Sequence, residues 1–428
     1  MFFVYDMQMK KPTRSLSGVT PIGAVIKPRP CRSKCVYCPS LDAPQSYTPA
    51  SPAILRAKAF NYDPFKQVSA RIRLLNKMGH DTSKVELIVL GGTFLDYPLA
   101  YQKSFIKSCY DAANEYIAKN LDEAKKINEA AKHRIVALAI ETRPDVCNEQ
   151  HINLMLEYGA TRCELGVQLP DNKVYSLINR GHKVKDVIKA TQLLKDSGFK
   201  VGYHFMPNLP GSNLSNDLSK YKLIFQRSCF RPDQIKIYPC QVIKGSKLAE
   251  WFKQGKYKPY TKQELIDLII KLKLSTPRYC RIMRVMREIP LSYLVGGVKE
   301  INLRQLIEAE LDKQGKKCKC IRCREIGFKL RKGKPVGGKL KLKKISYKAS
   351  KGKEFFLEIT DSYDTCYGIL RLRIPHRPFR EELQKAALIR ELHVYGKVMP
   401  LSEEKKETNI CLLYTSDAAD EGLGVDLG

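Results

Sequence analysis

Lys27-Pro-Arg-Pro-Cys31-Arg-Ser-Lys-Cys35-Val-Tyr-Cys38-Pro-Ser40 sets three cysteines with three and then two residues between them, close enough on one loop to wrap one face of an iron–sulfur cube. Thiolate is the soft ligand such a cluster takes, and four cysteines are its usual full set. A tight group of three therefore points to a [4Fe-4S] cluster with one iron left open for another molecule. A structural zinc needs a closed set of four, and no fourth ligand stands nearby. Cys31, Cys35 and Cys38 are accordingly assigned as cluster ligands.

Outward from this loop, short β-branched runs alternate with longer amphipathic stretches, the pattern of a parallel sheet covered by helices. The runs predict strands over 18–26, 85–90, 135–140, 163–167, 200–205 and 234–238, with helices over 63–78, 99–120, 150–158, 184–197 and 214–226. Six such units predict an α/β fold, a partial (βα)6 TIM-like barrel. The cysteine loop directly follows the first strand, and barrel enzymes carry their reactive groups on loops at the carboxyl ends of strands. The second strand runs into Gly91-Gly92-Thr93-Phe94. Paired glycines there allow backbone amides to approach a bound ligand closely.

The chain has 428 residues, 43% of them hydrophobic, enough for two or three packed domains. Its 14 cysteines lack the spacing of a disulfide framework, and the first residues lack the flanks of a signal peptide, so a reducing, cytoplasmic setting is expected. No stretch approaches the roughly twenty apolar residues of a membrane span. Cys411-Leu-Leu-Tyr-Thr-Ser-Asp-Ala-Ala-Asp-Glu421 reads as the in-frame translation of a sequencing adapter, so 411–428 is expected to be a non-native tail. The formal net charge is +31, and setting aside the tail's four acids, Asp417, Asp420, Glu421 and Asp426, raises it to +35. Such a charge favours a polyanionic partner, most simply nucleic acid.

Beyond residue 300, Cys318, Cys320 and Cys323 have chelating spacing, for which zinc is the natural occupant in a reducing compartment. Cys280 and His376 are both open as the fourth ligand. Lys329, Arg331, Lys332, Lys334, Lys339, Lys341, Lys343 and Lys344 then form a basic run, with Phe328 and Tyr347 interleaved, which suits the phosphates of a folded RNA. The stretches 353–360, 366–374 and 387–395 read as three further strands.

The cysteine spacing and the Gly-Gly-Thr-Phe element resemble the radical S-adenosylmethionine (SAM) enzymes. Further segments narrow the resemblance: Lys11-Pro-Thr-Arg-Ser-Leu-Ser-Gly-Val-Thr20, Glu141-Thr-Arg-Pro-Asp145, Glu164-Leu-Gly-Val-Gln168, Asn179-Arg-Gly-His182, Met206-Pro-Asn-Leu-Pro210, Lys236-Ile-Tyr-Pro239, Gly368-Ile-Leu-Arg-Leu-Arg373 and Glu391-Leu-His-Val-Tyr-Gly396. Together they resemble the Elongator catalytic-subunit family of tRNA wobble-uridine acetyltransferases.

That resemblance implies a radical derived from SAM that activates acetyl-CoA for addition to C5 of uridine 34, giving 5-carboxymethyluridine. It implies Gly91, Gly92 and Thr93 at SAM, Lys84 at acetyl-CoA, and Glu391, Leu392, His393 and Val394 on the acetyl-CoA strand of a GNAT acetyltransferase sheet. The glycine-rich pyrophosphate turn of that fold belongs after Lys405-Lys406, where the adapter-like residues stand, so a truncated α+β GNAT domain is expected. The implied layout is a radical SAM barrel over 1–300, a zinc linker over 301–350, half a GNAT domain over 351–410 and the tail over 411–428. tRNA is the implied partner, with Elongator-type subunits or a homo-oligomer as possible assemblies. Two other classes stay open: a protein lysine acetyltransferase, and a tRNA-binding module without turnover.

Overall fold

Two burial patterns set the architecture. Lys84–Leu90 buries every second residue, while all seven residues of Arg162–Gln168 are buried, as in a parallel sheet covered on both faces. The computed structural model describes residues 15–396, so the start of the Lys11 motif, the site after Lys405-Lys406 and the 411–428 tail lie outside the described residues.

The strands are β1 (Thr20–Val25), β2 (Lys84–Leu90), β3 (Arg134–Thr142), β4 (Arg162–Gln168), β5 (Lys200–Phe205), β6 (Gln234–Ile237), β7 (Val242–Ile243), β8 (Arg281–Val285), β9 (Leu294–Gly296), β10 (Lys341–Ala349), β11 (Gly352–Thr360), β12 (Cys366–Ile374) and β13 (Leu388–Val394). The helices are α1 (Pro52–Ala59), α2 (Pro64–Lys77), α3 (Leu99–Asn114), α4 (Leu121–Asn128), α5 (Glu149–Glu157), α6 (Asn172–Leu177), α7 (Val184–Asp196), α8 (Leu214–Gln226), α9 (Lys247–Lys253), α10 (Lys262–Ser275), α11 (Leu303–Lys313), α12 (Ile321–Arg324) and α13 (Ile326–Arg331).

The larger sheet has the order β1-β2-β3-β4-β5-β6-β8 and is parallel throughout. It has the six strands expected of the partial barrel and a seventh. Arg281-Ile-Met-Arg-Val285 escapes a hydropathy reading because two arginines interrupt it, yet it pairs with β6 along its length. The expected helix over 99–120 is two helices. Glu115 takes a left-handed conformation (φ 55°) that ends α3, and the Asn120 side chain accepts from Glu123 N to start α4.

The smaller sheet is antiparallel, in the order β10-β11-β12-β13. Its edge strand β10, Lys341-Leu-Lys-Lys-Ile-Ser-Tyr-Lys-Ala349, was expected to be part of a basic linker. Exposed lysines instead guard the edge of a sheet. This sheet meets the amino ends of the barrel strands through ion pairs that include Arg390 to Asp233 (2.7 Å), Arg373 to Asp196 (2.5 Å) and Lys200 to Glu391. No described helix is long and apolar enough to cross a membrane.

Candidate active site

The site begins where β1 ends. The loop carrying Cys31, Cys35 and Cys38 is pinned from two sides: Val36 N donates to Ile178 O (3.0 Å), and Leu248 N donates to Val36 O (2.7 Å). Asn179 Nδ2 donates to Lys34 O (3.2 Å) and Ser33 Oγ to Arg180 O (2.8 Å), so the Asn179-Arg-Gly-His segment clamps the loop. Two donors face the sulfurs. Arg180 Nη1 lies 3.5 Å from Cys35 Sγ, and Gln45 Nε2 lies 2.8 Å from Cys38 Sγ.

Burial pushes the Cys35 thiol up, but the Arg180 guanidinium, helped by Ser33 and Tyr37, overrides it and holds the pKa below the usual value. Burial pushes Cys38 up despite Ser46 and Gln45. All three thiols are free. They are not drawn within the 4.8 Å of one another that the Cys318, Cys320 and Cys323 sulfurs keep. A spread trio with N–H donors at its sulfurs fits a cube of iron and sulfide better than a single ion.

Gly91 and Gly92 lie against this loop at positive φ (127° and 108°). A Cβ on Gly91 would sit 2.5 Å from Ile26 Cγ1 and 3.1 Å from Pro44 Cβ, and one on Gly92 would sit 3.3 Å from Gln45 Cβ. The Gly-Gly turn thus backs Gln45, the residue that donates to Cys38. Thr93 leads into the short turn Phe94–Asp96, its carbonyl accepting from Asp96 N (3.2 Å).

Inside the curled sheet stands a charged cluster. Glu141 and Glu164 are register partners on β3 and β4, and His204 and Lys236 are partners on β5 and β6. Glu164 contacts His204 Nε2 (2.7 Å) and Lys236, while Lys236 also reaches Glu141 (3.1 Å). Gly202 makes room, since a Cβ there would press on Glu164 Cγ at 3.1 Å. Burial pushes Glu164 up, but Lys236, His204 and Arg162 hold it well below the carboxylate range. Burial pushes Lys236 down, and Glu164 with its neighbours raises it above the usual lysine value. Both stay charged around neutrality. Glu141, Glu164 and His204 have the geometry to share a cation, and the Lys236 ammonium already supplies that charge.

Glu141, Glu164, Arg180 and Lys236 stand within the family-like motifs, which by themselves assign them no such role, and His204 lies outside those motifs. An ionisable residue between apolar neighbours in a strand, as in Cys163-Glu164-Leu165, Tyr203-His204-Phe205 and Ile235-Lys236-Ile237, was the available signal.

Other assigned residues lie elsewhere. Lys84 opens β2, at the opposite end of that strand from Gly91, a separation of roughly 20 Å at strand rise. Glu391 is buried between Lys200 and Arg371, which hold it well below the carboxylate range against the upward push of burial. His393 Nε2 donates to Ser17 O (2.6 Å). Glu391 to Val394 close β13, whose outer edge is unpaired among the described residues.

Cys318, Cys320 and Cys323 converge, but neither candidate fourth ligand joins them. Cys280 falls outside that group, and His376 N lies by Asp196, at the other sheet's junction with α7. The neighbour present is buried Lys273, whose Nζ is 3.7 Å from Cys323 Sγ and whose carbonyl accepts from Cys318 Sγ (3.3 Å).

The basic run is only partly free for a partner. Lys329 donates to Tyr363 O (2.6 Å), while Lys332, Lys334 and Lys343 pair with Glu308, Asp312 and Asp364. Arg331, Lys339, Lys341 and Lys344 are exposed. Tyr347 stacks on Tyr279 (4.2 Å between centroids) and Phe328 lies under Arg322 (3.8 Å), so neither ring is free to stack on a base.

Comparison with known proteins matches residues 25–218 to the radical SAM superfamily and residues 232–313 to the radical SAM C-terminal domain. The tRNA uridine(34) acetyltransferase of Dehalococcoides mccartyi is 49% identical over 401 residues, covering 92% of this chain and 87% of the relative. Human Elongator complex protein 3 is 39% identical over 407 residues, covering 92% and 74%. Among solved structures, that of the archaeal Methanocaldococcus infernus Elp3 with an N-terminal deletion superposes with a TM-score of 0.79 at 45% identity, covering 89% of this chain and 84% of that one. With these relatives and a three-cysteine loop on the first strand of a curled parallel sheet, the chain belongs to the radical SAM family of tRNA uridine(34) acetyltransferases and Elongator complex protein 3.

Proposed function

We propose that this chain is a tRNA uridine(34) acetyltransferase that modifies C5 of the wobble uridine to 5-carboxymethyluridine, using SAM and acetyl-CoA. The observation that carries the reading is the cysteine loop itself, held at the carboxyl end of β1 with Arg180 and Gln45 donating to its sulfurs.

Cys31, Cys35 and Cys38 would hold the [4Fe-4S] cluster, and the Gly91-Gly92-Thr93 turn would hold SAM. When bound, this pair supplies a one-electron cleavage that gives a carbon-centred radical. The chain's own residues set the surroundings. Arg180 and Gln45 offset the negative charge of thiolate sulfur, and hydrogen bonds of this kind tune such sites. Glu164 and Lys236 stay ionised and fixed, presenting preorganised charge to a substrate at the carboxyl end of the sheet.

Acetyl-CoA is assigned to the free backbone edge of β13 at Glu391 to Val394, together with Lys84. Support comes from the unpaired edge and from the amino-end location that the two share. Zinc is assigned to Cys318, Cys320 and Cys323, supported by their convergence. The tRNA phosphates are assigned to the exposed Arg331, Lys339, Lys341 and Lys344, with Lys329, Lys332, Lys334 and Lys343 at the border. The domain limits carried with this reading are 1–300, 301–350 and 351–410.

The test is anaerobic reconstitution of the chain with iron and sulfide, followed by reaction with SAM, acetyl-CoA, dithionite and tRNA. Expected are released 5'-deoxyadenosine and 5-carboxymethyluridine at position 34, both lost in Cys35→Ala. Acetylated protein lysine that survives removal of all three cysteines would instead favour a lysine acetyltransferase. Retained tRNA binding without deoxyadenosine release would favour a passive tRNA-binding module.

A further inference from the structure

A pocket of about 470 Å³ opens between segments that hold the cysteine loop, outside every site assigned above, and its lining includes Trp251, Tyr260, Lys256, Lys258, Asn208 and Leu177. That size is ordinary for a small-ligand site. Its walls are tied to the reactive loop on both sides. Leu177 ends α6 and precedes Ile178, whose carbonyl accepts from Val36 N (3.0 Å). Trp251 rides on α9, whose Leu248 N donates to Val36 O (2.7 Å). The elements that carry Leu177 and Trp251 are thus both anchored on Val36, the residue after Cys35.

The chemistry of the lining is specific. Trp251 is the chain's only tryptophan and is half-buried, and Tyr260 is held by its hydroxyl on Asp217 (2.8 Å) and its N–H on Asn208 Oδ1 (2.8 Å). Asn208 is 5% exposed, at a left-handed φ of 66°, and with its backbone N–H on Asp217, its carbonyl taken by Tyr257 and its Oδ1 by Tyr260, Nδ2 is its remaining donor. Lys256 and Lys258 stand exposed at the rim. Rigid rings within, a buried amide donor among them and cations at the mouth form the combination that takes an unstacked base with its phosphates outside.

We infer that this pocket binds an unpaired nucleobase of the RNA substrate, one that presents a carbonyl acceptor to Asn208, next to the nucleotide delivered to the cysteine loop. This deepens the wobble-uridine reading and rests on it. Unpaired loop bases flanking the target must be splayed for that nucleotide to be extruded, and a second pocket gives one of them a place.

The sole tryptophan makes a direct test. An anticodon stem-loop RNA is titrated into the wild-type chain while tryptophan emission and, separately, RNA anisotropy are followed. Expected is saturable quenching with the same Kd as the anisotropy, and none from a duplex RNA of equal length. Trp251→Ala should bind the stem-loop about tenfold or more weakly and Trp251→Phe should recover most of that, since base stacking on an aromatic ring contributes on this scale. Lys256→Glu with Lys258→Glu should reduce the slope of log Kd on log salt by about two. Stem-loop binding with unmoved emission, or equal quenching by the duplex, overturns the pocket while leaving the function intact. Absence of stem-loop binding in the wild-type chain overturns both.

Discussion

Asp233 is the residue whose change tests how the two sheets are held as one body. It is fully buried before β6 and meets Arg390 twice (Nη1 to Oδ2 2.7 Å, Nη2 to Oδ1 2.9 Å), Lys195 (3.2 Å) and Arg371 (3.5 Å). The wider network sets five cations, Lys195, Lys200, Arg371, Arg373 and Arg390, against four carboxylates, Asp196, Asp233, Glu354 and Glu391. Asp233→Asn keeps the shape, raises the cation surplus from one to two and turns an amide N–H toward guanidinium donors. Breaking a buried pair this way costs about 3–5 kcal/mol. At about 1.4 kcal/mol per tenfold, the amides of β12 and β13 should exchange with solvent roughly a hundredfold to several thousandfold faster, while those of β4 change little. The assay is native-state hydrogen exchange read by mass spectrometry. Adding Lys195→Met should recover part of the loss, because it removes one surplus cation. Acceleration below tenfold in β12 and β13, or no recovery in the double variant, would refute the reasoning that this network holds the sheet down.

Other consequences follow from single contacts. Burial, with Arg390 close by, lowers Lys195 from 10.5 to about 8. A base whose folded pKa is depressed adds stability that is complete above its unfolded pKa and lost as pH falls through the folded one. The wild type should therefore gain about 3 kcal/mol over Lys195→Met between pH 8 and pH 10.5, measured by urea unfolding, and a flat difference would sink the assignment. Gly91→Ala forces a side chain onto φ 127° and against Ile26, so it should cost about 2–4 kcal/mol and lower reconstituted iron content, checked by thermal melting and iron analysis. Metal analysis of the purified chain should find about one zinc, lost in Cys320→Ser with Cys318 and Cys323 in place, and equal zinc in the variant would remove the assignment.

The parallel sheet was legible because its strands are short apolar runs, the central Arg162–Gln168 being buried on both faces. The 200–205 run agrees to the residue with β5, and the cysteine loop and Gly-Gly turn fall where barrel logic puts them. What was missed shares one cause: charge that tertiary structure neutralises. Arg281 looks like a strand breaker until Glu325 accepts it at 2.6 Å, so β8 was overlooked. The lysines of β10 read as a linker because an edge strand exposes its side chains. Tyr347 looked free for RNA until the fold laid it on Tyr279. Glu115 ended α3 without a glycine or proline to announce it.

The same cause explains the bore of the curled sheet. A βα barrel ordinarily fills its interior with branched apolar side chains. Here Arg162 bridges Glu86 and Glu164 (3.3 Å to the latter), and Glu164 passes the pairing to Lys236 and on to Glu141. Near its amino end, Lys200 pairs with Glu391 of the second sheet. Stability alone does not account for the series, since apolar packing of similar volume is commonly as favourable as a buried ion pair or more so. The carboxyl end of these strands is also where the cysteine loop and the Gly-Gly turn converge, and the residues nearest it, Glu141, His204 and Lys236, are partly exposed rather than sealed. The chain forgoes apolar packing along the line that joins its two sheets, and that line runs out through Lys236 and Glu141 at the end where the reactive loop stands.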